Sequence, residues 1–165
     1  MAIVDSILME LDQEAKTTQR VLDRVPENKL GWKPHAKSYS LGQLALHIAR
    51  LQGALADAVN KDTHEIPGFV QAEAGSKKEI MDVHIESTAK AKQILAKMDD
   101  ARLMATWTLT KNGNVLMSVP RVGFIRAIML NHMYHHRGQL SVYLRLLEVP
   151  VPSIYGPSAD ENPFA

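Results

Sequence analysis

Apolar side chains recur at intervals of three and four along four stretches of this chain, the spacing of one face of an α-helix. The first stretch runs from about Ile3 to Arg24, with Ile3, Val4, Ile7, Leu8, Leu11, Ala15, Thr18 and Leu22 in one stripe and Pro26 as the stop signal. The second covers Leu41 to Ala58, with Leu41, Leu44, Ile48, Leu51 and Leu55 on the stripe and Ser40 as its N-cap. Ser76 caps the third, where Glu79 three residues on gives a capping-box pattern ahead of Ile80, Val83, Ser87, Ala91, Ile94 and Met98. The fourth starts after Pro120 and runs from about Arg121 to Leu147. Its seam is Val122, Ile125, Met129, Met133, Leu140, Tyr143 and Leu147, and Pro150 ends it.

Between these stretches the pattern changes. Residues 27–39 read as a loop holding Gly31, Trp32, Pro34 and His35, and residues 60–75 as an irregular segment punctuated by Pro67, Gly68 and Gly75. From Thr106 to Val119, alternating side chains flank Lys111-Asn112-Gly113-Asn114, which predicts a short β-hairpin between helices three and four. The tail, 149–165, carries Pro150, Pro152, Pro157 and Pro163 and is expected to lie extended on the surface, anchored by Ile154, Tyr155 and Phe164. A chain of 165 residues suggests one domain, 1–165. The pattern is that of an all-α four-helix bundle, with a second connection long enough for wiring other than simple up-and-down.

Composition narrows the function classes. No apolar run approaches the roughly 20 residues of a membrane span, and Met1-Ala2-Ile3-Val4-Asp5 lacks the plan of a signal peptide, so the expectation is a cytoplasmic protein without membrane contact. Nineteen basic and 18 acidic residues give a net charge of +1, with no basic stripe of the kind that binds nucleic acid. There is no cysteine, which removes disulfides, thiolate ligands and a cysteine nucleophile together. A thiol could take part only as a small molecule brought to the protein.

The candidate chemistry lies in the histidines. His132 and His136 are four apart on the fourth helix and so share a face. Counting about 100° per residue from His132, Ile125 and Tyr143 fall near about 20°, His136 near about 40° and Met129 near about 60°, which places both histidines in the apolar stripe. His47 faces inward on the second helix by the same count. An imidazole without a partner in an apolar core costs about 1–3 kcal/mol, so three of them suggest a shared metal. Hydrogen-bonded core packing is the alternative. His84, bordering the third stripe, is a rival ligand, while His35 and His64 read as surface residues in loops. His135 sits at the edge of the stripe, and Gln139 is placed to support a ligand imidazole or a metal-bound water. An HExxH protease site is excluded by Met133, paired Glu-x-x-His di-iron motifs are missing, and there is no G-x-S-x-G elbow.

Three segments, Ser40 to Ala49, Asn131 to Leu140 and Val149 to Gly156, carry a likeness to a known family. With the block His132-x-x-x-His136-Arg137-Gly138-Gln139 as its most specific piece, the chain resembles the DinB/YfiT-like superfamily of bacterial four-helix-bundle proteins. The resemblance implies an up-down-down-up bundle, frequent homodimers, and a metal on one histidine of helix two and two of helix four, here His47, His132 and His136. It also implies thiol-linked activities: S-transfer or isomerisation with a low-molecular-weight thiol. Zn or Ni is favoured on those grounds, although imidazole ligation also suits Cu or Fe. Arg137 and Arg121 could then meet the carboxylate of a thiol cosubstrate, with plain surface charge as the alternative. Three functions stay open: a thiol S-transferase, a hydrolase using metal-bound water, and a binding or stress protein with a structural metal.

Overall fold

The long helices form where the apolar periodicity puts them. In the computed structural model, which describes residues 2–66, 68 and 70–165, α1 spans Ile3–Asp23, α2 Leu41–Asn60 and α3 Lys77–Leu95. A short α4, Asp100–Met104, follows, capped by Asp99. The last helix is composite: α5, Arg121–Phe124, runs through a π-helical segment, Ile125–Leu130, into α6, Asn131–Leu146. Pro67, read above as punctuation, and Met1 of the leader reading lie outside the described residues.

The caps show how local chemistry sets the boundaries. Ser40 Oγ accepts from the Gln43 N–H at 3.0 Å, and Gln43 Oε1 accepts from the Ser40 N–H at 2.9 Å, a closed capping box. At Ser76 only half the expected box forms. Its Oγ takes the Glu79 N–H at 3.0 Å, but the Glu79 carboxylate turns to the Gly75 N–H at 2.7 Å.

The hairpin forms as β2, Thr106–Lys111, and β3, Asn114–Pro120, paired antiparallel. Asn112 (φ 51°) and Gly113 (φ 77°) make its turn, both in the left-handed region that this tight connection requires. A third strand, absent from the sequence reading, joins it: β1, Thr63–Glu65, pairs parallel to β2 with His64 opposite Leu109. Part of the stretch expected to be irregular is therefore the first strand of a sheet ordered β1-β2-β3. Trp107 seals this end, fully buried, with its Nε1–H on the Ala58 carbonyl at 3.0 Å and its ring 4.1 Å from that of Phe124.

Two apolar clusters make the core. One joins Val4, Ile7 and Leu11 of α1, Val59 of α2, Leu95 of α3, Trp107 and the segment Phe124 to Leu130. The other joins Val21 and Leu22 of α1, Leu41 to Ala49 of α2, Ile80 of α3, and Leu140 and Leu144 of α6. Going along the chain, α1 passes from the first cluster to the second, α2 and α3 pass from the second to the first, and the last helix returns. That is up-down-down-up wiring. Surface ion pairs agree: Arg50–Glu79 and Asp57–Lys90 run in parallel order between α2 and α3, while Asp23–Lys77 and Asp12–Lys92 run in opposite order between α1 and α3.

Between the clusters lies a waist of buried polar side chains drawn from all four long helices: Glu14, Thr18, Gln52, His84, Thr88 and Arg137. Each finds a partner there. His84 Nε2–H donates to the Ala15 carbonyl at 3.0 Å, and Thr88 Oγ1 donates to Gln52 Oε1 at 2.7 Å. Arg137 pairs with the Glu14 carboxylate at 2.6 Å and donates to Thr18 Oγ1 at 3.1 Å.

The tail is held differently from expectation. Phe164 is 81% exposed and anchors nothing, while Ile154 packs on the second cluster. Charge does the rest: Asp160 receives Arg145 and the Val151 N–H, and Glu161 receives Arg20, Arg24 and the Ser153 N–H.

Candidate metal centre

Helices α2 and α6 pack side by side, and the three expected histidines meet between them. The ring centroids of His47 and His136 are 4.6 Å apart, those of His132 and His136 4.5 Å, and those of His47 and His132 5.4 Å. One nitrogen from each ring lies within 4.8 Å of the others. All three side chains are half-buried. The buried seam of α6 is Met133, Arg137, Leu140 and Leu144, one position on from the histidines. His132 and His136 therefore occupy the flank of the apolar stripe, not its middle. The wheel misplaces them because the π turn at Ile125–Leu130 shifts the phase between the upstream apolar residues and α6. That flank position leaves the cluster half-buried instead of sealed in the core.

Two hydrogen bonds are consistent with one set of tautomers. His136 Nδ1–H donates to Gln139 Oε1 at 2.7 Å, so in the neutral ring Nε2 carries the lone pair. His132 Nε2–H then donates to His136 Nε2 at 2.7 Å. Burial among other imidazoles disfavours protonation of all three. His47 is pushed down to about 4, first by desolvation and then by His136 and His132. His132 is lowered by desolvation and by its neighbours His136 and His135. His136 is lowered by desolvation, against the Gln139 hydrogen bond, which raises it.

These residues fit a divalent transition metal. Two nitrogens on one tetrahedral zinc, each about 2.0–2.1 Å from it, stand about 3.4 Å apart, a spacing that small side-chain rotations reach from the separations above. The three imidazoles are neutral near pH 7, and the Gln139 hydrogen bond to His136 is of the kind that would orient a ligating imidazole.

Other candidates fall elsewhere. His84, the rival ligand, is a waist residue bonded to Ala15, its pKa lowered by burial. His64 is not in a loop: it lies on β1, half-buried, stacked over Trp107 with centroids 6.5 Å apart. His35 is exposed, as expected. His135 is exposed with its ring 5.0 Å from that of His136. Arg137 and Arg121 are not surface charges, being 1% and 0% exposed. The carboxylate that Arg137 meets is Glu14 of its own chain, beside the hydroxyl of Tyr155. Arg121 collects the carbonyls of Val59, Lys61, Ala105 and Thr106 and pairs with Asp62, closing the C-terminus of α2. Glu14 escaped the sequence reading, although a carboxylate between Leu11 and Thr18 in an apolar stripe is a visible signal.

A four-helix bundle wired up-down-down-up, with one histidine on the second long helix and two on the last, defines a recognisable class of protein. The family model of the DinB superfamily matches residues 10–140, and the chain belongs to that superfamily. Among curated proteins it is similar to the uncharacterized protein YrdA of Bacillus subtilis (strain 168), 27% identical over 164 residues that cover 96% of this chain and 91% of that one. Among solved structures it resembles a DinB-like protein from Bacillus cereus ATCC 10987 (TM-score 0.74, 22% identity, covering 93% of this chain and 98% of that one). A second is the DinB-like YjoA of Bacillus subtilis (TM-score 0.69, 17% identity, 90% and 97%). At these identities the solved structures speak for the fold.

Proposed function

We propose that the protein is a metal-dependent enzyme in which His47, His132 and His136 hold a divalent transition metal, Zn or Ni, and a low-molecular-weight thiol is activated for S-transfer. The observation that carries the reading is the convergence of three imidazole nitrogens within 4.8 Å, from two helices, at half-buried positions. Three neutral ligands leave the metal's charge uncompensated and one position free, and a metal so bound lowers the pKa of a thiol or water placed there.

The chain's own residues have defined parts. His47 brings the α2 side of the site to the pair on α6. Gln139 holds His136 through Nδ1 and leaves the lone pair on Nε2, which a metal would take in place of the His132 contact. Lacking cysteine, the chain offers no thiol that would compete for the site. The homodimeric expectation belongs to this reading and rests on the family resemblance. Among the described residues no helix is long and apolar enough to cross a membrane.

Metal content by mass spectrometry on untagged protein, wild type beside His132→Ala, is the test. About one equivalent in the wild type and none in the variant is expected. No metal in either, even after added Zn²⁺ or Ni²⁺, makes the cluster a packing feature. Given metal, turnover that requires an added thiol supports the transferase, and thiol-independent turnover makes it a hydrolase.

A further inference from the structure

Beside the histidines stands a tyrosine ring that is not one of the three imidazoles, and an aromatic pair supports its backbone. The Tyr39 ring lies 6.3 Å from that of His47 and is 38% exposed. Tyr143 follows His136 by seven residues, so it stands on the same face of α6, about two turns on. Its hydroxyl donates to the Tyr39 carbonyl at 3.3 Å. Trp32 meets the Tyr143 ring edge-on, with centroids 5.6 Å apart and planes at 85°.

The backbone carrying Trp32 and Tyr39 is fixed. The Leu41 N–H donates to the Trp32 carbonyl and the Gly42 N–H to the Leu30 carbonyl, each at 2.8 Å. Gly42 lets the loop lie against α2, since a Cβ there would stand 3.2 Å from Leu30 Cβ and O. None of the three rings brings a charge. A tyrosine on a rigid backbone is a low-entropy contact surface, having two χ angles to order. Its exposure separates Tyr39 from the core, where the largest side chains are sealed.

Building on the three-histidine reading, we propose that Tyr39, its backbone carbonyl held by the Tyr143 hydroxyl, is a specificity-determining wall. It selects ligands that carry a planar aromatic group next to the atom meeting the metal.

The test is calorimetric titration of zinc-loaded protein with three metal-seeking probes: acetohydroxamate, benzohydroxamate and cyclohexanecarbohydroxamate. Wild type is expected to bind benzohydroxamate about tenfold more tightly than either of the others, the scale of one good aromatic contact. Tyr39→Phe should keep the preference and Tyr39→Ala should abolish it, both at unchanged zinc content. The cyclohexyl probe separates flat-ring recognition from bulk hydrophobicity within the wild type, so the outcome does not hang on the alanine variant folding. Equal binding of the three probes by zinc-loaded wild type, or binding of none, overturns the wall and leaves the metal site standing. Failure to take up zinc overturns the metal reading and the wall together.

Discussion

His132 and His136 are one helical turn apart, yet different groups hold them. His136 is fixed through Nδ1 by Gln139, whereas His132 reaches His136 through its own Nε2. An outer hydrogen bond of the first kind is worth about 10–100-fold in metal affinity. Gln139→Leu should weaken zinc binding by that factor in a chelator competition, with the fold intact. An unchanged affinity would show that packing alone orients the ring. The neighbouring Arg137 makes a second residue-scale case. It is buried with Glu14, and breaking such a pair by removing one partner costs about 3–5 kcal/mol, while replacing both with apolar groups costs little. Arg137→Met should therefore lower stability strongly in urea denaturation, and the double variant Glu14→Leu, Arg137→Met should recover most of the loss. If the double variant is as unstable as the single one, the tie from Arg137 to Thr18 and Tyr155 outweighs the ion pair.

Helices α2 and α3 run parallel and pack tightly at Gly53. A Cβ on Gly53 would stand 2.9 Å from Ser87 Oγ and 3.0 Å from Ser87 Cα and O, so Gly53→Ala must push the helices apart. Overpacking of this kind costs about 1–3 kcal/mol. Gly123, also helical, has nothing within 4 Å of its Cβ position, and Gly123→Ala should be neutral or slightly stabilising. Thermal denaturation of the two variants side by side checks the contrast. Elements were legible in the sequence in proportion to how local their causes are. The long helices announce themselves by period, and the β2–β3 turn by Asn112-Gly113. The strand β1 does not, because Thr63, His64 and Glu65 are ordered by a partner strand more than forty residues away. The π turn was equally hidden. The apolar residues on both sides of it look continuous, and only the burial of Phe124 and Leu130 beside Met133 and Arg137 reveals the phase shift. The meeting of His47, His132 and His136 could be read from spacing and resemblance, but the place of Tyr39 beside them could not, because Tyr39 and Trp32 lie in a loop with no period to read.

At the scale of the molecule, protons couple to folding through the histidines between the helices. His47, at about 4 when folded against an ordinary 6.5, takes up fewer protons folded than unfolded in that window, and His132, His136 and His84 shift in the same direction. The unfolded chain binds the extra protons, so stability rises with pH across the window. The metal-free protein should keep its full histidine contribution above pH 6.5 and lose it progressively as pH falls towards 4, which denaturant titrations at stepped pH would display. A stability that rises on acidification through that range would contradict the burial of these rings. The polar waist has a consequence of another kind, in how the molecule moves. Each long helix ends in both apolar clusters, so the natural unit of opening is half of the bundle, four half-helices melting together, and not one helix peeling away. Native-state hydrogen exchange should accordingly sort the amides of α1 into two protection sets that meet near Glu14, each moving in step with the distant half-helices that share its cluster. A single set spanning all of α1 would mean that the waist welds the halves into one cooperative body.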